Sequence, residues 1–506
     1  MSQPAVLAID QGTTGSTALV VARDGRVLGR AYSEFTQHYP RPGWVEHDAT
    51  EIREVTVRVA REAASSTAEA RAARLEAVGI TNQRESLVVW DRATLEPVHR
   101  VIVWQDRRTA DLCRELRGAG HEPFIRERTG LMLDPYFTGT KLTWLLREHP
   151  ELRARAEAGE LAAGTVDAWL IASLTGGETH ATDPTNASRT LLYDLRAGAW
   201  SEELLAILEV PAALLPEVRR SSGVFGVCRG ETLGHELPIL GVAGDQQAAL
   251  FGQGCWEPGL AKNTYGTGAF LLQYTGTEPV VSRAGLLTTA ACDRSGGPAF
   301  ALEGAIFIAG AAVQWLRDGL GILSDSGESE TLAASLEGND GVYFVPAFVG
   351  MGAPHWEPDA RGLLVGLTRG TGRGHLARAA LEAMAYQTAD VLHAMERDAG
   401  AALTELRVDG GAAANDWLMR FQAGVLGVPV RRPALVETTA FGAAGLAGLA
   451  GGIWPDGEAF LEARAAPDVF PPEMGAELRE GLRAGWRRAV STALHWTRGG
   501  AGGASP

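Results

Sequence analysis

The chain has 506 residues, of which 45% are hydrophobic and 21% charged, and its formal net charge is −15. This length exceeds one ordinary hydrophobic core, so two domains are expected, and the composition is that of a globular protein. The acidic balance argues against nucleic acid or an anionic membrane as a partner, because both attract clusters of Lys and Arg.

Cysteine usage and hydropathy indicate a cytoplasmic chain that does not insert into a membrane. Four widely separated cysteines without a Cys-x-x-Cys pair suit a reducing compartment and give no zinc signal. The N-terminus lacks the basic and apolar regions of a signal peptide. The longest uncharged stretch, residues 438–455, is mostly Gly and Ala, so we expect it to pack tightly in a core.

The first predicted element is a hairpin with an unusual tip. Its sequence is VLAIDQGTTGSTALVV, residues 6–21, and it places Asp10 and a run of Gly and Thr between two apolar strands. Glycine allows a ligand close to the backbone, and amides with Thr hydroxyls form an anion-binding concavity. A carboxylate beside it fits a divalent cation that accompanies the anion. The alternative is an ordinary surface turn.

Alternating strand and helix patterns follow in the first third of the chain. A helix is predicted from about residue 50 to 70 with Asp48 as N-cap, then strands in LEAVGIT, SLVVWD and RVIVW. Ligands of open α/β sheets gather at the carboxyl ends of strands, where polar residues stand here. Arg84 and Glu85 follow the first of these strands. They are either a solvated turn or a donor and an acceptor for a small polyol.

A strand-to-helix junction in VAGDQQAAL, residues 242–250, contains Asp245. An Asp at this place is either a helix N-cap or a general base. A base here would take the proton of a hydroxyl that receives a phosphoryl group.

The second half of the chain restarts the pattern near residue 253. The stretch KNTYGTGAFLLQY, residues 262–274, again sets Gly-Thr-Gly between apolar runs, and a long helix is predicted from about residue 375 to 399. VDGGAAAN, residues 408–415, combines a strand end, two glycines and a helix start, which suits a nucleotide. Two similar halves around a ligand cleft are therefore expected. The Gly-rich residues 497–506 are expected to be disordered.

Ten motifs occur together and in order along the chain, and they resemble those of the sugar and polyol kinases with the actin-like ATPase fold. They include DQGTTGST, ITNQRE, TDPTNASRT, GDQQAALFGQ, KNTYGTG and VDGGAAAN, and the resemblance extends from Asp10 to about Trp454. It implies an α/β protein of two ribonuclease-H-like domains, residues 1–252 and 253–496, with a central interdomain cleft. The first domain would hold the polyol and one phosphate loop, and the second the nucleotide.

Within that family the motifs are most similar to those of the members that phosphorylate glycerol. The resemblance implies in-line transfer of the γ-phosphoryl group of ATP, with Mg²⁺, to glycerol, which gives sn-glycerol 3-phosphate and begins glycerol utilisation. It also implies a homo-oligomer, either a dimer or a tetramer. The matching position for the general base is Asp245.

Further roles are carried over residue by residue. The resemblance implies that Asp10 and Asp245 hold Mg²⁺ through water. The implied glycerol-binding residues are Arg84, Glu85, Trp104, Tyr136, Asp245, Gln246 and Phe270. The implied ATP-binding residues are Thr13, Thr14, Gly15, Thr267, Gly310, Gln314, Gly411 and Asn415.

Three features depart from the family pattern. Thr17 stands where an Arg that touches the phosphates is common, so we expect nucleotide affinity to be weaker by about 1–2 kcal/mol. Residues 227–238 lack the glycine-rich, basic pattern that binds fructose 1,6-bisphosphate in some relatives. His235 lacks the surroundings of the histidine that is phosphorylated in others.

The same motifs permit three other interpretations of the function. One is a kinase of this fold that acts on a pentulose or on gluconate, although relatives acting on sugars typically lack the Arg84-Glu85 pair. Another is an actin-like chaperone or filament protein, although the motifs leave only a short tail for a further domain. A third is a catalytically inactive sensor, although Asp10, Asp245 and both phosphate loops are intact.

Overall fold

A computed structural model describes residues 3–500 of the chain. The last helix reaches Gly500, so the tail predicted at residues 497–506 lies partly outside the described residues. Within residues 3–500, every helix is too short or too polar to span a lipid bilayer.

The N-terminal half is built on a six-stranded sheet with smaller sheets attached to it. Its strands are β1 (Pro4–Gln11), β2 (Gly15–Ala22), β3 (Val27–Glu34), β4 (Glu46–His47), β5 (Arg74–Asn82), β6 (Val88–Asp91), β7 (Val101–Ile102), β8 (Leu161–Gly164), β9 (Ala181–Thr182), β10 (Tyr193–Asp194), β11 (Ala199–Trp200), β12 (Glu217–Val218), β13 (Ser222–Cys228) and β14 (Leu237–Gly244). Its helices are α1 (Ala49–Ser65), α2 (Ala68–Ala72), α3 (Ala110–Gly118), α4 (Glu122–Thr129), α5 (Thr138–Glu148), α6 (Pro150–Glu157), α7 (Val166–Leu174), α8 (Pro184–Ala187), α9 (Glu202–Ile207), α10 (Gly230–Leu233) and α11 (Asp245–Gly252).

The C-terminal half is built on a seven-stranded sheet, with a smaller two-stranded sheet beside it in the chain. Its strands are β15 (Leu260–Tyr265), β16 (Ala269–Gly276), β17 (Leu287–Cys292), β18 (Pro298–Ile306), β19 (Tyr343–Val345), β20 (Leu363–Val365), β21 (Glu405–Asp409), β22 (Val430–Arg432) and β23 (Asp468–Phe470). Its helices are α12 (Gly310–Gln314), α13 (Glu328–Ala334), α14 (Arg373–Ala399), α15 (Asp416–Leu426), α16 (Thr438–Ala450), α17 (Gly457–Glu462) and α18 (Ala476–Gly500), with a short 3₁₀ turn at Gly411–Ala414 and a π turn at Trp315–Gly319. A further 3₁₀ turn, Ala212–Leu214, belongs to the N-terminal half.

The two large sheets share one topology. The first has the order β13-β14-β5-β1-β2-β3 and the second β17-β18-β16-β15-β21-β22-β23. In each, an antiparallel meander of three strands (β1-β2-β3 and β15-β16-β18) is followed by two parallel strands beside the first strand (β5-β14 and β21-β22). The internal repeat expected from the sequence is therefore confirmed at the level of strand order. Strands β6 and β7 were also predicted, but they pair in small separate sheets and not in the six-stranded sheet.

Strand β1 shows why the sequence of the hairpin is apolar until Asp10. Ala5, Leu7 and Ile9 pack into one core with α1 and α7, whereas Val6 and Ala8 pack on the opposite face against α16. Since a central strand covered on both faces has no solvent side, its apolar residues run continuously. Polar residues begin at the carboxyl end of the strand, where Asp10 and Gln11 still pair with β2 and β5.

Helix α16 belongs to the C-terminal half of the chain but packs on the N-terminal sheet. It contacts β5, β14 and β1, and it lies along α11. A Cβ on Gly79 of β5 would lie 2.3 Å from the carbonyl oxygen of Ala443, and a Cβ on Gly442 would lie 1.9 Å from that of Ala248. Backbones touch at these places, so the Gly- and Ala-rich stretch is a tightly packed core helix, as predicted.

We expect Gly442→Ala to lower the free energy of unfolding by about 1–3 kcal/mol, because the added methyl group must push α16 away from the backbone of α11. Chemical denaturation measures this change. Gly481→Ala is a matched control in a helix, because no atom lies within 4 Å of its added Cβ. That control should be neutral or stabilising by up to about 1 kcal/mol. Equal effects of the two substitutions would contradict the close packing of α16.

Candidate active site

The first predicted phosphate loop is the turn between β1 and β2. Its ends are closed by the Gly12 amide, which donates to the carbonyl of Gly15 at 2.9 Å. Thr13 and Thr14 occupy the tip, and Gln37 Nε2 donates to the Thr13 carbonyl at 3.0 Å. The loop is therefore held in place from behind, while its tip is accessible to a ligand.

The second predicted phosphate loop occupies the same place in the C-terminal half, between β15 and β16. The Gly266 amide donates to the Gly268 carbonyl at 2.8 Å, and Thr267 is exposed at the tip. The Thr267 carbonyl accepts the amide of Ala311 at 3.1 Å, which fixes the loop against the start of α12.

A cavity of about 520 Å³ adjoins this second loop. Five residues predicted to bind the nucleotide line it together: Thr267, Gly310, Gln314, Gly411 and Asn415. They come from the hairpin, from α12 and from the turn before α15, three segments that are distant in sequence. The volume falls within the usual range for small-molecule sites. The Asn415 side chain also caps α15, because its Oδ1 accepts the amide of Leu418 at 2.8 Å.

Arg84 and Glu85 lie in a buried network of two arginines and two glutamates rather than in a solvated turn. Arg84 donates to Glu303 of β18 through both terminal nitrogens, at 2.6 and 2.9 Å. Arg189 donates to Glu85 at 2.6 Å and to Glu303 at 3.0 Å. All four side chains are at most 3% exposed. Because Glu303 belongs to the C-terminal sheet, the network joins the two lobes.

The charges of this network balance, and they set the ionisation of its members. Burial opposes the ionisation of Glu303, but Arg189 and Arg84 outweigh it and lower the pKa of Glu303 to about 2. Burial raises the pKa of Glu85 above its ordinary value, although the same two arginines oppose this. Glu303 is therefore the fixed anion of the set.

Asp245 is the first residue of α11, and its side chain faces Arg84. The N-cap position belongs to Gly244, whose amide donates to Thr185 Oγ1 at 2.8 Å, so the N-cap alternative for Asp245 is wrong. Asp245 Oδ1 accepts the Gln246 amide at 2.7 Å and lies 3.2 Å from Arg84 Nε. The carboxylate remains partly exposed, which leaves it accessible to a substrate.

Two of the three predicted aromatic residues meet beside this network. Trp104 and Tyr136 pack edge to face with ring centroids 5.6 Å apart, and Trp104 Nε1 donates to Thr13 Oγ1 at 2.9 Å. This contact ties the predicted polyol wall to the first phosphate loop. Phe270 comes from the other lobe, on β16, where it pairs with Ala305 of β18. It shares the face of the sheet that carries Glu303, since residues two apart in a strand point the same way.

Asp10 is the group whose surroundings best fit a divalent cation. Burial and the nearby negative charge of Asp245 raise the pKa of Asp10 to about 7. A cation bound beside Asp10 would favour its ionised form and offset the negative charge of Asp245. Among residues 3–500, no group of three or more His, Cys, Asp or Glu side chains is placed to hold a metal. Mg²⁺ typically uses one or two carboxylates and completes its shell with water and phosphate, so the carboxylates of Asp10 and Asp245 match its usual ligands.

Three further charged residues in this region escaped the sequence analysis: Arg189, Glu303 and Lys262. Two of them stand in identified motifs, whereas Glu303 stands in none. Arg189 lies in TDPTNASRT and Lys262 opens KNTYGTG, while Glu303 is the one charge within the strand PAFALEGAI. An isolated charge in a buried strand is itself a signal, because it needs a partner. What the sequence does not reveal is that the partner is Arg84, more than two hundred residues away.

Known proteins resemble this chain along nearly all of its length. Residues 5–252 match the N-terminal domain of the FGGY family of carbohydrate kinases, and residues 261–451 match its C-terminal domain. A glycerol kinase of Dechloromonas aromatica is 58% identical over 491 residues, which cover 97% of this chain and 98% of that protein. One of Rhodopirellula baltica is 55% identical, covering 98% and 92%.

Solved structures show the same relationship. The crystal structure of Plasmodium falciparum glycerol kinase with ADP matches with a TM-score of 0.91 at 34% identity, covering 97% of this chain and 99% of that one. A gluconate kinase of Lactobacillus acidophilus matches with a TM-score of 0.88 at 20% identity, which supports the fold alone. The two-lobed actin-like architecture implied by the motifs is confirmed.

We expect Glu303→Gln to lower the free energy of unfolding by about 3–5 kcal/mol, because Arg84 and Arg189 would share one buried anion instead of two. Thermal and chemical denaturation measure the loss. Glu458→Gln is a matched control, because it breaks an ion pair with Arg294 in which both side chains are about two-thirds exposed. That control should change stability by less than about 1 kcal/mol. Similar small effects at both positions would contradict the buried network.

Proposed function

The chain belongs to the FGGY family of carbohydrate kinases, and we propose that it transfers the γ-phosphoryl group of ATP to the 3-hydroxyl of glycerol. The observation that carries this proposal is the ion pair of the partly exposed Asp245 with Arg84, which also pairs with Glu85 in the buried network. Relatives that are 55–58% identical over nearly the whole chain are glycerol kinases. The product would be sn-glycerol 3-phosphate.

The polyol would lie between Arg84, Glu85 and Asp245, against the rings of Trp104 and Tyr136. A polyol hydroxyl both donates and accepts hydrogen bonds, so it needs guanidinium donors and carboxylate acceptors together. The aromatic pair offers apolar surface to the carbon chain. Gln246 and Phe270 would complete the site from the start of α11 and from the opposite lobe.

The nucleotide would bridge both lobes. Its adenosine fits the cavity of about 520 Å³ lined by Gly310, Gln314, Gly411 and Asn415. Its phosphates would meet the two matching hairpins, one carrying Thr13, Thr14 and Gly15 and the other carrying Thr267. Backbone amides at such turns bind anions without a Lys or Arg, which suits a chain of net charge −15.

Phosphoryl transfer needs alignment, charge neutralisation and acceptance of one proton. Asp245 would accept the proton of the attacking glycerol hydroxyl, while Arg84 at 3.2 Å keeps the carboxylate oriented. Asp10 and Asp245 would hold Mg²⁺, which supplies positive charge against the phosphates when bound. The burial of the Arg84 network restricts water beside the acceptor and so favours transfer to glycerol over hydrolysis.

Two further proposals concern the state of the chain in the cell. All four cysteines are unpaired and buried, which supports a location in the reducing cytoplasm. A homo-oligomer, either a dimer or a tetramer, is proposed from the family resemblance.

The substrate is tested by ADP release with a panel of acceptors. We expect kcat/KM for glycerol to exceed that for D-xylulose and for gluconate by about 10²-fold or more, because the charged groups around Arg84 are matched to a short neutral polyol. Comparable rates with gluconate or xylulose would overturn the assignment to glycerol. ADP release that is indifferent to every acceptor would instead indicate an ATPase.

The general base is tested by Asp245→Asn, which keeps the shape of the side chain but cannot take the proton. We expect turnover to fall by about 10²–10⁴-fold while ADP affinity changes little, because the nucleotide cavity lies on the other lobe. Steady-state kinetics and calorimetric ADP titration provide the two measurements. Turnover near that of the wild type would remove Asp245 from this role.

A further inference from the structure

Lys262 is a fully buried lysine whose hydrogen-bond partners are both neutral. It lies on β15, and its Nζ donates to Gln246 Oε1 and to Thr264 Oγ1, the latter at 2.8 Å. Within residues 3–500, no carboxylate oxygen lies within 4.0 Å of this nitrogen, and the side chain is 0% exposed. Burial opposes the ammonium form and lowers the pKa of Lys262 to about 8, although the more distant carboxylates of Asp409 and Asp245 favour that form. Such a residue is more often retained for a site than for stability.

The contact with Gln246 crosses from one lobe to the other. Lys262 belongs to the hairpin of the C-terminal sheet that also carries Thr267, whereas Gln246 follows Asp245 at the start of α11 in the N-terminal half. Gln246 is partly exposed, whereas Lys262 is buried.

The chemistry of the two groups decides which way the amide faces. An ammonium group only donates hydrogen bonds, so the atom of Gln246 that meets it must be the carbonyl oxygen. The NH₂ group of the amide is then directed away from Lys262. Without the ammonium group, the amide could rotate by half a turn and present either atom.

We propose that Lys262 is a positioning residue that fixes Gln246 as a hydrogen-bond donor to the polyol. This inference rests on the proposed function, and it assigns a direction to one substrate contact. A glycerol hydroxyl that accepts from Gln246 must direct its own proton to another acceptor, and the Asp245 carboxylate is the neighbouring one. Lys262 thereby favours the orientation in which the hydroxyl proton faces the base.

The decisive variants are Lys262→Met and Gln246→Glu. The first removes the donor at nearly constant length, so the amide is released. The second retains an acceptor for Lys262 but removes the NH₂ group, so the contact between the lobes survives and the donor to glycerol is lost. We expect each to raise the glycerol KM by about tenfold, with the ATP KM changed by less than about twofold.

A double variant separates positioning from a direct role. If Lys262 acts through Gln246, then Lys262→Met combined with Gln246→Ala should raise the glycerol KM no more than the more damaging of these two substitutions does alone. Asn263→Ala is a matched control on the same strand, because Asn263 is buried on the opposite face and donates to Thr388 in the C-terminal core. It should leave the glycerol KM unchanged, and circular dichroism checks that every variant is folded.

Each outcome supports or overturns the inference. A normal glycerol KM in Gln246→Glu, or additive losses in the double variant, would overturn the positioning role while glycerol-dependent ADP release by the wild type preserved the proposed function. If the wild type released no ADP in response to glycerol, both would fall. Because Gln246→Glu alters a partly exposed side chain, it tests the inference even if Lys262→Met does not fold.

Discussion

Arg84 is held by charges from both halves of the chain. Its guanidinium reaches Glu303 on the C-terminal sheet and Asp245 at the start of α11, and Glu303 in turn holds Arg189 beside Glu85. Two buried cations and two buried anions are tolerable in a low-dielectric site only if all are paired in good geometry. The position of one lobe on the other is therefore tied to the orientation of the groups that would bind a polyol.

The rest of the fold brings this network together. Two sheets of the same topology each end their first strand in a Gly- and Thr-rich hairpin, so the repeat itself produces one such loop at the same position of each sheet. The glycines of β5 and α16 let helices pack backbone to backbone between the sheets. Since α11 begins with Asp245 and lies against α16, close packing in this layer determines where the carboxylate stands.

Local signals in the sequence predicted much of this arrangement. The hairpin around Asp10, the strand before Arg84 and the helix closed by Gly400 all follow from short-range patterning and turn chemistry. The long-range pairing of Arg84 with Glu303 was not predictable. Glu303 lies on an otherwise apolar strand, and nothing in that strand indicates which distant residue it pairs with. Lys262 lies in the motif KNTYGTG, yet nothing in that motif indicates that its partner is Gln246 in the other lobe. The short strands β6 and β7 belong to small separate sheets and not to the main sheet. Apolar patterning predicts a strand but does not specify which sheet it joins.

The central claim is that both lobes meet around one acceptor hydroxyl. A crystal structure of the chain with glycerol and a non-hydrolysable ATP analogue tests it most directly. The account predicts a glycerol hydroxyl within hydrogen-bond distance of the Asp245 carboxylate and facing the γ-phosphoryl group, with the Arg84–Glu303 pair intact beside it. Glycerol bound away from Asp245, or a triphosphate that contacts only one of the two hairpins, would contradict it.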